Sequence, residues 1–176
     1  MSDEIYFNDG EIEAIGFDTD GNGTIDSISA DTNGDGLVDM LAFDTNGDGS
    51  FDTFALDADG DGVLDSLGRD SDHNGQLDVF AFDTTGDGRI DTEIADVNGD
   101  GQIDMYARDT NGDGFADIVA ADTNADTRPD LVMVDTNADG LLDGMVMDNA
   151  NASEFDVFAY RVDDMGDMGD KDDMIV

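Results

Sequence analysis

Oxygen donors recur along this chain with a period of thirteen residues, and the phase holds across eleven units. Numbered from its first Asp, a unit has Asp at position 1, Asn or Asp at position 3, and Asp or Asn at position 5. Gly follows at position 6, an apolar residue at position 8 and Asp at position 9. The candidate ligands, loop by loop, are Asp18, Asp20, Asn22 and Asp26; Asp31, Asn33, Asp35 and Asp39; Asp44, Asn46, Asp48 and Asp52; Asp57, Asp59, Asp61 and Asp65; Asp70, Asp72, Asn74 and Asp78; Asp83, Asp87 and Asp91; Asp96, Asn98, Asp100 and Asp104; Asp109, Asn111, Asp113 and Asp117; Asp122, Asn124, Asp126 and Asp130; Asp135, Asn137, Asp139 and Asp143. Carboxylate and amide oxygens gathered this way suit a hard cation, and the flexible, oxygen-rich set suits Ca²⁺ better than the rigid octahedron of Mg²⁺. About ten calcium ions are expected, one per loop.

The loops are not equal. Thr85 stands where position 3 should supply a ligand, which weakens the loop at 83–91, and Thr127 replaces the position 6 Gly at 122–130, where Pro129 follows. That turn is expected to be distorted. The unit at 148–160 has Ala150 and Ala152 at positions 3 and 5 and keeps only Asp148, Asp156, Phe158 and Tyr160 of the pattern.

The first six residues of a unit are turn chemistry, because Asp and Asn bond their own backbone and Gly accepts positive φ. The remaining seven, such as LVDMLAF at 37–43, suffice for one strand and contain no second turn signal. A thirteen-residue coil needs a second corner and finds none. The reading is therefore an all-β fold, a flattened parallel β-roll or β-solenoid with 26 residues per coil and ion-binding turns on both edges. Position 8 and position 11 are the most consistently apolar, yet a strand places residues three apart on opposite faces. Position 8 is assigned to the loop exit on that ground. Residues 5–17 echo the unit, with Asn8, Asp9 and Gly10 at positions 4 to 6. The expected organisation is an N-terminal cap at 1–17, the repeat solenoid at 18–160, whose last unit is a C-terminal cap, and an acidic tail at 161–176.

Charge explains why such a chain needs cations. There are 46 acidic residues against six Lys and Arg, a formal charge of −40, although 39% of residues are hydrophobic and in register. Self-repulsion on that scale opposes compaction. Nucleic acid and anionic membrane surfaces are disfavoured partners. No cysteine is present and His73 is the single histidine, which excludes thiolate zinc sites and leaves no catalytic triad. His73 falls at position 4, a glycine slot, and reads as a turn residue. No enzymatic activity is expected.

Asp, Asn or Asp, Asp and Gly at positions 1, 3, 5 and 6 with an apolar residue at 8 resemble the front half of an EF-hand calcium loop. The likeness covers nine of every thirteen residues over 18–143. It departs in having no Glu at position 12 and no flanking helices, so the bidentate ligand is expected from position 9, in its own loop or in the one stacked beside it. The chain is similar in logic to repeats-in-toxin (RTX) β-rolls, in loop motif to dockerin and thrombospondin type 3 repeats, and most broadly to bacterial DTNGDG tandem-repeat calcium-binding proteins. That resemblance implies a calcium-stabilised structural, surface or adhesion protein outside the cell. The terminal DDMIV is similar to the end of type I secretion substrates, and the N-terminus has no signal-peptide pattern, so export without a cleavable leader is expected. Calcium ions are the expected partners, with self-association through an apolar strand face and no membrane insertion. Two alternatives remain: a calcium buffer or sensor, and an ice-binding solenoid using the position 2 column of Thr19, Thr32, Thr45, Thr84, Thr110, Thr123 and Thr136.

Overall fold

The computed structural model describes residues 3–8 and 12–147, all of them strand, turn or loop, with no helix. They fall into two units, Met1–Gly101 and Gln102–Val176. The first holds β1 (Asp3–Asn8), β2 (Glu13–Asp18), β3 (Ser27–Asp31), β4 (Met40–Phe43), β5 (Thr53–Leu56), β6 (Ser66–Arg69), β7 (Val79–Phe82) and β8 (Thr92–Ala95). The second holds β9 (Met105–Arg108), β10 (Ile118–Ala121), β11 (Leu131–Val134) and β12 (Gly144–Met147). The expected C-terminal cap and tail at 148–176 lie outside the described residues.

From β4 onward each strand occupies positions 10 to 13, and positions 1 to 9 form the loop that precedes it. Within each unit, every strand pairs with the next in the chain, and every pair is antiparallel. The expected parallel roll is thus corrected to an antiparallel meander. The cause is how each loop is tied. The position 9 N–H donates to the carbonyl just before position 1, as Asp39 to Ala30 at 2.9 Å and Asp52 to Phe43 at 2.8 Å. The position 1 N–H of the loop after next then donates to the position 9 carbonyl, as Asp57 to Asp39 at 2.8 Å. A nine-residue loop closed at its base sends the next strand back beside the last, reversed and in the same layer. Among the described residues of each unit no second layer is formed, so there is no coil.

A period of 26 residues survives in another form. Alternate loops lie on the same edge of the sheet, two strands apart. Asn46 Nδ2 donates to His73 Nδ1 at 2.9 Å, 27 residues away. A Cβ on Gly60 would lie 3.8 Å from Asn33, and one on Gly62 would lie 3.6 Å from Leu37. Within this unit the loops therefore stand in two columns.

Packing is achieved without a layered core. Among the described residues no large side chain is fully buried, and the buried apolar groups are Ala30, Ala42, Ala55, Ala81 and Ala95. Antiparallel register sets position 11 of one strand against position 12 of the next, and thereby large residues against small. Phe54 lies between Ala42 and Gly68, and Leu67 between Ala55 and Ala81. Such cross-strand pairs are what stabilises a sheet that has no partner layer. Position 8 completes the arrangement from the loop. A Cβ on Gly16 would meet Ile25 at 3.1 Å, and one on Gly68 would meet Leu77 at 2.9 Å. Position 8 thus folds over the small residue at position 12 of the strand that feeds its loop, which is why positions 8 and 11 are both apolar.

The two faces of β3–β8 differ. One carries Ile28, Ala30, Met40, Ala42, Phe54, Leu56, Phe80, Phe82 and Ile94 with Ser66 and Thr92, and the other mixes Leu41, Phe43, Ala55, Leu67, Val79, Ala81 and Ala95 with Ser27, Ser29, Thr53, Arg69 and Glu93.

Candidate metal centre

The loop at 31–39 shows the construction. The Asp31 carboxylate accepts the Gly34 N–H on Oδ1 at 2.6 Å and the Gly36 N–H on Oδ2 at 2.8 Å. Asn33 Oδ1 accepts from the Asp35 N–H and Asp35 Oδ1 from the Leu37 N–H, each at 2.8 Å. The chain winds tightly around its first carboxylate, and Gly34 and Gly36 take φ of 78° and 89° to allow it. One oxygen at each of positions 1, 3 and 5 therefore faces the turn while already bonded to backbone. Each retains a lone pair for a cation.

Position 9 does a different job. Asp39 Oδ2 accepts the Thr32 N–H at 2.6 Å, the Thr32 hydroxyl at 2.8 Å and the Asn33 N–H at 3.0 Å, while Oδ1 accepts Asn33 Nδ2 at 2.9 Å. It closes its own loop, and Asp52, Asp91, Asp117, Asp130 and Asp143 do the same. Of the two sources weighed for the missing ligand, position 9 of the same loop is where the carboxylate stands. Oδ2 is saturated, which leaves Oδ1 as the atom able to reach an ion.

The position 2 hydroxyls are the contribution that the sequence reading missed. Thr19, Thr32, Thr45, Thr84, Thr110, Thr123 and Thr136 each donate to the position 9 carboxylate seven residues on. The constant spacing of seven between Thr and Asp was the available signal. These hydroxyls hold Asp26, Asp39, Asp117 and Asp130 below the usual carboxylate range. Thr84 and Thr92 together push Asp91 down from 3.8 to about 2. At Asp83 burial works upward but is outweighed by the N–H groups of Gly88 and Gly86.

Four loops bring three carboxylate oxygens within 4.8 Å of one another: Asp18, Asp20 and Asp26; Asp31, Asp35 and Asp39; Asp57, Asp59 and Asp61; Asp70, Asp72 and Asp78. Asp57 is among the buried residues, as are Asp18, Asp39, Asp44, Asp52, Asp70, Asp78 and Asp91. Like charges this close repel by roughly 3 to 4 kcal/mol per pair at an effective dielectric near 20. A divalent cation converts that repulsion into attraction, and the donor set of carboxylates and amide oxygens fits calcium. The remaining predicted ligands, in the loops at 44–52, 83–91, 96–104, 109–117, 122–130 and 135–143, stand at the same loop positions without forming a three-carboxylate group of this kind among the described residues.

The irregular loops keep the frame at a local cost. With Thr85 at position 3, the Asp87 N–H loses its position 3 acceptor and donates to the Asp83 carboxylate at 3.4 Å. Thr127 retains the position 6 bond, donating to Asp122 at 2.7 Å, but at φ of 71°. The expected distortion at 122–130 is thus strain at Ala125 and Thr127, both at positive φ, rather than a broken turn. His73, Ala125 and Ala138 occupy position 4 at φ of 58° to 59°.

The fold and loops define a class: an antiparallel meander whose turns are oxygen-donor loops of EF-hand type. A family model described as EF hand matches residues 93–105, one repeat of the series. No curated protein and no solved structure matches the chain. The match falls on the loop at 96–104, and with the carboxylate clusters of the other loops it is consistent with calcium as the ion.

Proposed function

We propose that this is a non-enzymatic, calcium-stabilised repeat protein that folds when its loops fill and works outside the cell as a surface, spacer or adhesion element. The observation that carries the reading is the pairing of buried acidic groups with a sheet that has almost no apolar core. Asp18, Asp39, Asp44, Asp52, Asp57, Asp70, Asp78, Asp91, Asp104 and Asp117 are buried and the other position 1 and 9 carboxylates over 18–143 half-buried, while Leu56 is 44% and Leu64 38% exposed. Domain stability is only about 5–15 kcal/mol, and repulsion within a few clusters is of that size. Ten divalent ions would halve the formal charge of −40. Folding only at the calcium concentrations found outside cells suits a chain exported unfolded. The apolar face around Phe54, Phe80 and Phe82 supports self-association as part of this role.

Far-UV circular dichroism with and without chelator tests the proposal. The strand signal should collapse in excess EGTA and return with calcium, and an unchanged spectrum would refute it. A calcium titration followed by light scattering reads folding and assembly together. The ice-binding alternative loses its main support, because all seven Thr hydroxyls are spent on carboxylates within the loops.

A further inference from the structure

Six loops contain Asn followed directly by Gly: Asn22, Asn33, Asn46, Asn74, Asn98 and Asn111. This dipeptide is chemically labile. The glycine nitrogen, unshielded by any Cβ, attacks Cγ of the asparagine side chain. A C–N bond forms, the N–H proton leaves with the side-chain amide as ammonia, and a succinimide remains. Water then opens the ring at either carbonyl and leaves aspartate or isoaspartate. No oxidant, reductant or enzyme is required.

In this fold both reacting partners are held elsewhere. The Gly34 N–H is committed to Asp31 Oδ1 at 2.6 Å, and the Asn33 amide is fixed at both ends, by the Asp35 N–H at 2.8 Å and by Asp39 Oδ1 at 2.9 Å. Asn111 repeats this, with Gly112 on Asp109 at 2.7 Å and the side chain on Asp117 at 2.8 Å. Asn22 is held in the other register, with Gly23 on Asp18 at 2.9 Å. Gly47, Gly75 and Gly99 are bonded to Asp44, Asp70 and Asp96.

We propose that the Asn–Gly bonds are spontaneous deamidation sites latched by the position 1 carboxylate, so that a loop which opens is chemically marked. Isoaspartate at position 3 diverts the main chain through the former side chain and removes the acceptor for the position 5 N–H. The loop cannot rewind. Each isoaspartate formed at Asn33, Asn46, Asn98 or Asn111 therefore retires one loop, and the chain records the time its loops have spent open. Both arms of its test, native and in urea, are run at saturating calcium, so that urea alone opens the loops.

The full chain is incubated in warm, mildly alkaline buffer, native and in urea, and deamidation at each Asn–Gly is measured by peptide mass mapping. Reaction through a transiently open loop follows the open population, so native rates should be at least roughly tenfold below those in urea. Asp31→Ala should bring Asn33 toward its urea rate and leave Asn74 and Asn111 slow. Asp31→Asn, which keeps an oxygen acceptor for Gly34, should restore part of the protection. Equal rates in native and unfolded protein would overturn the proposal, as would an unchanged Asn33 in Asp31→Ala. A slower Asn33 there would make Asp31 a base rather than a latch. Acceleration at all six sites together would assign protection to the whole fold and not to the carboxylate.

Discussion

Thr127 is a β-branched residue in a glycine slot, and exchanging the two residue types between neighbouring loops isolates the strain. Thr127 stands at position 6 with φ of 71°, and Gly114 at position 6 of the preceding loop has φ of 91°. A left-handed residue with a Cβ costs about 1–2 kcal/mol, toward the upper end for a β-branched side chain. Replacing Thr127 by Gly removes that strain but returns about 0.5–1 kcal/mol as entropy of the unfolded chain. The net gain should be about 0.5–1 kcal/mol. Gly114→Thr should cost a similar amount. Its cost is purely conformational, because a Cβ at Gly114 meets nothing within 4 Å. Both variants are unfolded in urea at saturating calcium. At roughly 2 kcal/mol per molar of urea the midpoint should rise by about 0.3–0.5 M for Thr127→Gly and fall as much for Gly114→Thr. If both variants left the midpoint unmoved, positive φ at position 6 would not be what the repeat demands.

Three further outcomes follow from the geometry. Asp91 titrates near 2 in the folded chain against 3.8 when free, so its contribution is complete above pH 3.8 and is lost as pH falls toward 2; Thr84→Val should move its titration upward, read by carboxyl NMR. Thr85→Asn restores an acceptor for the Asp87 N–H and an oxygen at position 3, and calorimetry should show tighter calcium binding at that loop. Gly68→Val forces a Cβ to within 2.9 Å of Leu77 beside Phe80. It should cost about 1–3 kcal/mol in urea unfolding, whereas a midpoint equal to wild type would mean position 12 tolerates bulk.

Much of the site was legible because its chemistry is local. Gly34 and Gly36 announce positive φ, and Asp31, Asn33 and Asp35 bond N–H groups within five residues of themselves. No distant residue is needed to wind such a turn. The reading of one strand within positions 7 to 13 rests on the absence of a second corner, and from β4 to β12 a single strand is found there, at positions 10 to 13. The pairing of Thr32 with Asp39 was not legible in this way, because a Thr beside an Asp is equally a generic turn residue until the loop closes. The same holds for Ile25 and Leu77, whose apolar character could not be assigned to a face before Gly16 and Gly68 were seen beneath them.

By itself the sequence determined the period, the candidate oxygen donors, the glycines at positive φ and the alternation of loops between two edges. These follow from bonds that span a few residues and recur in every unit. Only the tertiary structure decided the direction of the strands and the owner of the position 9 carboxylate. Parallel and antiparallel arrangements bury the same thirteen-residue pattern equally well. What separates them is a pair of backbone hydrogen bonds at the loop base, such as Asp39 to Ala30, between groups that every residue carries and no side chain announces.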